Sequence, residues 1–324
     1  MRIVKPSVKL IEQQNVYEHI AYCAKVCYAT EKITDDISFV KKLINSGHKS
    51  MLRHASIYFI ITPYSIPEKS VEDIRFVNRY KDNAYSYVKE DLQGSFVTYY
   101  ITTNMQVIHD NDWYEDLLRA ENFEPNNINS TYNIFETGFN NMRYSFEVIT
   151  QISTSRELNR TSPNNIAEQS TRYCNFSNDK FGNEITICQP HWFDISGDNI
   201  EYKYKEHTHY IKSDTGEFHP IENTKITINK DNYNELMVSG YLLHCYQAET
   251  MYMSLIGKNS MIAQDARGIL PLDTMTKCIY TYTIDEWKHI IDLRYYGTTG
   301  IPHPNAKIIA GMIRDELNKL GYNL

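Results

Sequence analysis

Apolar side chains at Val16, Ile20, Cys23, Ala24 and Cys27 share one face at helical spacing, so Val16–Tyr28 reads as an amphipathic helix behind an opening strand over residues 2–12. A second helix is expected over about 36–46: Asp35 or Asp36 caps it, Ile37, Val40, Leu43 and Ile44 form its apolar stripe, and Gly47 stops it. The run HKSMLRHASIYFIIT then turns a polar corner, carrying His48, Ser50, Arg53 and His54, into a strand over 56–62. Residues 68–80 suggest a short helix. Strands at 95–102 and 105–109 would join through a hairpin turn at Thr103-Asn104, with another helix at 111–120. A strand at 144–150 leads to a helix carrying Arg156, Glu157 and Leu158, which should end near Thr161 or Ser162 because the residue before Pro163 disfavours the α region.

The second half alternates more coarsely. A short strand is expected at 184–188, a polar, loop-rich stretch at 190–230, a long helix at about 232–256 and a strand at 277–282. Thr283-Ile284-Asp285-Glu286 has the form of a capping box. The helix it opens places Trp287, Ile290, Ile291 and Arg294 on one apolar face. A last amphipathic helix runs through Ile308, Ile309, Met312, Ile313, Leu317 and Leu320, closed by Gly321. No linker composition and no repeat divides the chain. It therefore reads as one domain over 1–324, elaborated by insertions near 65–140 and 190–230.

Composition narrows the function classes. The 324 residues are 42% hydrophobic and 23% charged, as expected of a globular chain. A net charge of -7 argues against general nucleic-acid binding, while leaving room for a small anion in a local basic pocket. The six cysteines form no C-x-x-C pair and suit reduced thiols of a cytoplasmic protein; Cys23 and Cys27 belong with the core rather than with a metal. His207-x-His209 has no matching ligand pattern, so no metal is expected. The N-terminus has no secretory signature, and no apolar run reaches the ~18 residues of a membrane span.

The chemistry concentrates in RELNRTSPNNIAEQSTRYCNF, residues 156–176. Glu168, Ser170, Thr171 and Arg172 put a carboxylate, two hydroxyls and a guanidinium within five positions. Two readings follow. Glu168 and Arg172 form an i,i+4 pair on a surface helix, or the hydroxyls, backbone N–H groups and guanidinium grip a phosphate. Arg294, on a buried face, needs an anionic or multiply accepting partner. That partner is either a carboxylate such as Asp292, in a purely internal pair, or a ligand. Periodicity does not choose between these readings.

The same residues resemble the signature of the flavin-dependent (alternative) thymidylate synthases: Arg-His-Arg, seven residues, Ser, one residue, Arg-Tyr. Arg160, Ser170, Arg172 and Tyr173 stand at those spacings. GHKSMLRHAS at 47–56 is similar to the family's GHxSxLEHxS, and AQDARGILPL at 263–272 to its PQDARxVLP. DEWKHIIDLR at 285–294 and GTTGIPHP at 297–304 also match a subgroup.

The resemblance implies a mixed α/β fold with a sheet flanked by helices, assembled as a homotetramer with shared active sites. It implies reductive methylation of dUMP at C5 to dTMP, with FAD as redox mediator, NADPH as reductant and methylenetetrahydrofolate as carbon donor. Carried over, Glu157, Glu168, Ser170, Thr171, Arg172, Arg267 and Arg294 would hold dUMP. Arg294 would face the uracil, and Ser170 would position it. His48, Ser50, Arg53, Arg160, Thr161, Ser162 and Thr283 would fall on the FAD side. The chain departs from the pattern where Thr161 and Ser162 replace His and Arg, and where Arg53 replaces the usual Glu. Arg53 would then return some of the lost positive charge. A different C5 modification, such as hydroxymethylation, and a catalytically silent nucleotide binder remain as alternatives.

Overall fold

Two nine-residue strands, Arg143–Gln151 and Met275–Thr283, pair antiparallel along their whole length, from Met275 opposite Gln151 to Thr283 opposite Arg143. Ser7–Ile11 and Ile166–Glu168 flank them and complete a four-stranded sheet. Side chains alternate across it. Tyr144, Phe146, Val148, Cys278, Tyr280 and Tyr282 pack against Trp287, Ile290, Ile291, Ile309, Ile313 and Leu317 of the helices Ile284–Ile291 and Pro304–Lys319. Ala167 and Ile279 point the other way, onto Cys23 and Val26 of the helix Val16–Tyr28. This computed structural model describes residues 1–29, 35–63, 67–93, 96–120, 141–161, 165–198, 200–214, 216–257 and 259–324.

Besides a small antiparallel pair, Phe193–Ile195 with Ile226–Ile228, two further sheets surround this layer. Ser56–Ile61, Phe96–Asn104 and Tyr87–Gln93 form a three-stranded antiparallel sheet over the first hydrophobic cluster, which includes Val16, Ile20, Phe59, Phe76 and Tyr80. The other is mixed. Arg2–Val4 pairs parallel with Thr186–Cys188 and antiparallel with Ile200–Lys205, and Thr208–Lys212 and Phe218–Pro220 extend it. The helix Glu235–Gly257 buries Val238, Leu242, Cys245 and Tyr252 in the cluster shared with that sheet. The mixed α/β architecture with sheets flanked by helices is as expected.

The differences from expectation are local. The opening strand is two strands, Arg2–Val4 and Ser7–Ile11, broken at Lys5-Pro6, where proline has no N–H for a ladder. No hairpin turn exists at Thr103-Asn104. The strand Phe96–Asn104 runs to its end, and Asn104 caps a helix, Met105–Asp110, by accepting from the N–H groups of Gln106 and Val107. A run that short fits either period, and the cap decides it. The strand Tyr87–Gln93 was not foreseen, and the helix expected at 111–120 is a 3-10 turn, Tyr114–Arg119. The stretch 190–230 carries five short strands rather than loops alone. Cys23 is buried and Cys27 half-buried. Among the described residues no cluster of metal-ligating side chains occurs, and no helix is long and apolar enough to cross a membrane.

One polar thread crosses the core. His19 Nε2 lies 2.9 Å from Ser145 Oγ, which lies 2.6 Å from Thr281 Oγ1, itself 2.8 Å from His54 Nδ1. Ser145 and Thr281 are direct cross-strand partners. The two imidazoles are thereby joined through a pair of hydroxyls, and all four side chains are buried.

Candidate active site

Glu168 ends the strand Ile166–Glu168, opposite Cys278, so it is not on a helix and does not form an i,i+4 pair with Arg172. Its carboxylate accepts from Ser155 Oγ at 2.7 Å, Thr276 Oγ1 at 3.2 Å and Asn159 Nδ2 at 3.4 Å. The chain then turns. Ser170 N–H donates to the Cys27 carbonyl in the last turn of the first helix (3.1 Å), and Cys174 N–H returns to the Ser170 carbonyl (2.8 Å). Arg172 N–H donates to Ser170 Oγ at 3.3 Å. Thr171 and Arg172 are presented on this tight corner.

Residues 92 to 96 positions away close over the corner. Arg172 Nε donates to Gln264 Oε1 at 3.0 Å, and Arg267 Nη1 to Thr171 Oγ1 at 3.4 Å. The Arg172 guanidinium also lies 5.3 Å from the Tyr173 ring centroid. Neither Arg172 nor Arg267 forms an ion pair among the described residues. Two exposed guanidiniums and a hydroxyl thus converge without a carboxylate, which suits a phosphate.

The helix Ile152–Asn159 joins this grip to Arg294. One side of it carries Ser155 and Asn159 toward Glu168; Asn159 Oδ1 also accepts from Tyr280 Oη at 2.9 Å. At its C-terminus the Thr161 N–H turns back to the Leu158 carbonyl at 3.1 Å, so the Glu157 carbonyl is left without its i+4 donor. Arg294 fills that vacancy, donating from Nε at 3.0 Å and Nη2 at 2.9 Å. A cation at a helix C-terminus is also stabilised by the negative end of the helix dipole. The Glu157 carboxylate lies 3.9 Å from Arg294 Nη2 and 3.5 Å from Arg160 Nη1. Arg294's partner is therefore Glu157, chiefly through its carbonyl, and not Asp292. Nη1 is not engaged in these contacts. Arg294 stands in a π-helical turn, Asp292–Tyr296, which Gly297 ends at φ 72°.

The residues expected on the flavin side fall in three places. Arg160 is exposed at the end of the helix Ile152–Asn159, beside Thr161, whose hydroxyl donates to the Leu158 carbonyl at 2.8 Å. Ser162 lies outside the described residues. His48 and Ser50 are exposed at the start of a 3-10 helix, Lys49–His54. Arg53 and Thr283 line a cavity of about 550 Å³. Thr283 there also caps the helix Ile284–Ile291 in the expected capping box with Glu286.

Motif reasoning missed most of this cavity. Thr102, Asn104, Gln106, Asn141, Arg143 and Asn165 are among its walls. Arg53 Nε donates to Gln106 Oε1 at 2.6 Å. Arg143 donates to the Arg53 carbonyl at 2.6 Å, the Ala55 carbonyl at 3.4 Å and Ser56 Oγ at 3.2 Å. Burial pulls the Arg143 guanidinium below its usual pKa. Among the described residues, two side-chain atoms in these walls have no hydrogen-bond partner: Thr102 Oγ1 and Asn141 Oδ1, in residues only 2% and 6% exposed. No spacing rule picks out residues drawn from so many segments; the other missed residues, Ser155, Asn159 and Gln264, likewise sit in no pattern beyond the quoted runs.

A family model described as thymidylate synthase complementing protein matches residues 131–319. No curated protein matches the chain. Among solved structures, a UMP/dUMP methylase, PolB, from Streptomyces cacaoi bound with 5-Br dUMP is 14% identical, with a TM-score of 0.42 over 99% of this chain and 93% of that one. Thymidylate Synthase X from Helicobacter pylori, with FAD and dUMP, is 12% identical, with a TM-score of 0.33 over 55% of this chain and 68% of that one.

Proposed function

Because the chain belongs to the thymidylate synthase complementing family, whose model spans residues 131–319, we propose that it reductively methylates dUMP at C5 to dTMP. In this reading FAD mediates the redox chemistry, NADPH is the reductant and methylenetetrahydrofolate gives the carbon. The observation that carries the reading is the closure of Gln264 and Arg267 over Thr171 and Arg172. It assembles a carboxylate-free phosphate grip beside an anchored carboxylate, Glu168.

Thr171, Arg172 and Arg267 take the nucleotide phosphate. Glu168, fixed by its three donors, accepts from a hydroxyl or imide N–H of the nucleotide. Ser170 already accepts the Arg172 N–H, so its own proton is free to donate, which suits a positioning role. Arg294 is held by the Glu157 carbonyl and keeps Nη1 for the uracil. There a fixed guanidinium stabilises negative charge on the ring carbonyls as C5 becomes nucleophilic. The protein's thiols suit no nucleophilic role: burial pushes Cys23 and Cys278 well above the usual thiol value and also raises Cys27 and Cys174.

In this reading the flavin lies against the cavity lined by Arg53 and Thr283. Two guanidiniums, Arg53 and Arg143, share its walls with three carboxylates, Asp110, Asp285 and Glu286, so polar donors and acceptors rather than net positive charge would hold it. The unsatisfied buried polar atoms there would gain partners from a bound molecule. When bound, the flavin supplies the electron transfer that the side chains do not. Arg53, Thr283, His48, Ser50, Arg160, Thr161 and Ser162 are the residues of the family pattern proposed to hold it. We treat residues 1–324 as one domain and the active unit as a homotetramer with shared sites. In support, Ile262, Ile269 and Leu272, beside Arg267, are exposed apolar residues, as are Leu236 and Met251 of the long helix.

The test is product mass after incubation with dUMP, NADPH, methylenetetrahydrofolate and added FAD. A product heavier than dUMP by one methylene is expected. A hydroxymethyl product would replace the reading with a related modification, and no product of any mass would leave a silent nucleotide binder.

A further inference from the structure

Glu168 uses its two carboxylate oxygens differently. Oε1 accepts from Ser155 Oγ at 2.7 Å and from Thr276 Oγ1 at 3.2 Å. Both donors belong to buried residues. Oε2 is approached by Asn159 Nδ2, at a long 3.4 Å. One oxygen is therefore tied to the floor of the site, while the other keeps acceptor capacity. Glu168 and Asn159 are themselves half-buried, so this pair of atoms stays within reach of a ligand.

The Asn159 amide has one orientation open to it. A carboxylate only accepts, so Nδ2 must face Glu168, and Oδ1 then accepts from Tyr280 Oη at 2.9 Å. Tyr280 is 2% exposed and packs in the core of the central sheet, so its hydroxyl holds the amide from a fixed point. Nδ2 carries two N–H groups. Glu168 takes one, and the other is not engaged among the described residues. An N–H donor and a carboxylate acceptor thus stand side by side. Uracil carries the complementary pair, an imide N3–H with a carbonyl on each side. Arg294, anchored on the Glu157 carbonyl two residues before Asn159, brings Nη1 as a further donor.

Resting on the dUMP reading above, we infer that Asn159 and Glu168 together read the imide edge of the pyrimidine and make the site select uracil over cytosine, with Tyr280 as the residue that positions the Asn159 amide. Glu168 Oε2 accepts from N3–H. Asn159 Nδ2 donates to one neighbouring carbonyl and Arg294 Nη1 to the other. Cytosine fails at two atoms. Its N3 is an acceptor set against a carboxylate, and its amino group meets an N–H donor whichever carbonyl position it takes. Each mismatch leaves a polar group of the site without a partner, which costs more than a contact merely absent.

The experiment is calorimetric binding of dUMP, dCMP, 3-methyl-dUMP and 2-deoxyribose 5-phosphate to the full chain, as the wild type, Asn159→Ala and Tyr280→Phe. The wild type should bind dUMP roughly 5- to 100-fold more tightly than dCMP or 3-methyl-dUMP. Asn159→Ala should weaken dUMP binding roughly 3- to 10-fold and leave the base-free sugar phosphate unchanged. Tyr280→Phe keeps the ring and releases the amide. It should narrow the dUMP-to-dCMP ratio by a similar factor, again with no change toward the sugar phosphate. Variants weakened equally toward all four ligands, or variants that keep the wild-type ratio, would overturn the inference. So would a wild type that binds dCMP or 3-methyl-dUMP as tightly as dUMP, a result that needs no variant to fold and leaves the proposed function standing. Failure of the wild type to bind dUMP at all would instead remove the reading on which the inference rests.

Discussion

At the scale of single residues, charge placement matters more than net charge. The protein carries a formal charge of -7, yet Arg172 and Arg267 meet at Thr171 with no carboxylate between them. Arg267→Ala should raise the dUMP dissociation constant roughly tenfold, or about 1.4 kcal/mol, measured by calorimetry, because it deletes one exposed charge-assisted contact. The melting temperature should barely move. An unchanged affinity would place the phosphate elsewhere. Arg53→Glu reverses the charge of a cavity wall and should abolish measurable FAD binding in a fluorescence titration; retained affinity would remove Arg53 from the flavin side.

The candidate grip was the most legible cluster, because its members are contiguous from Glu168 to Arg172 and Arg267 lies in a recognisable run. Periodicity could not show that Glu168 ends a strand, since three residues, Ile166–Glu168, are too few to display a period. Arg294 was placed on a buried face, and it is half-buried. Its partner was out of reach of pattern reading, because the partner is a backbone carbonyl freed by a change in the hydrogen bonding of another helix. The cavity was illegible for a related reason: its polar residues come from separate loops and strand ends, and only the folded chain brings them together.

At the scale of elements, two features set the site's tolerance to change. The first is the end of the π-turn that carries Arg294. Gly297 adopts φ 72°, and a Cβ there would meet the Gly300 carbonyl oxygen at 2.8 Å and the Pro302 ring at 2.9 Å. Gly297→Ala combines left-handed strain with a backbone clash, so a loss of about 1–3 kcal/mol is expected in chemical denaturation. Because Arg294 lies three residues upstream, kcat should fall along with stability. A variant with wild-type stability would show that the turn relaxes freely.

The second feature is the thread from His19 through Ser145 and Thr281 to His54. Burial and the nearby Arg143 charge pull His19 down to about 4. Burial, with the charges of His19 and Arg143, pulls His54 down to about 3. Both folded values lie below the ordinary imidazole value of 6.5. Below pH 6.5 the unfolded chain therefore binds more protons than the folded one, and stability falls as pH drops toward 4. Each imidazole contributes up to about 1.4 kcal/mol per pH unit in that window. His54→Gln should flatten the fall in denaturation midpoint between pH 6.5 and 4; an identical slope would show that His54 is charged in the folded state.

At the scale of the whole molecule, the central sheet draws strands from both halves of the chain, and the candidate site forms where their connections meet. Helix and strand content was readable because long runs such as Val16–Tyr28 and Met275–Thr283 carry a clear period. The register that sets Glu168 beside Ser155 and Thr276 was not, since pairing between distant strands leaves no local mark. Light scattering on the purified protein should give the mass of a tetramer; a monomer at the concentrations used for activity would rule out shared sites.

The strand Arg2–Val4 lies in the interior of its sheet, between Thr186–Cys188 and Ile200–Lys205. Both neighbours are made long after it. At ribosomal rates of about 5–20 residues per second, those roughly 200 residues take on the order of 10–40 s. Throughout that interval the strand has neither lateral partner. The order of synthesis thus leaves the emerging chain with an unfilled hydrogen-bonding edge, and a nascent chain of this protein should be a better client for chaperones that shield such edges than the finished protein is.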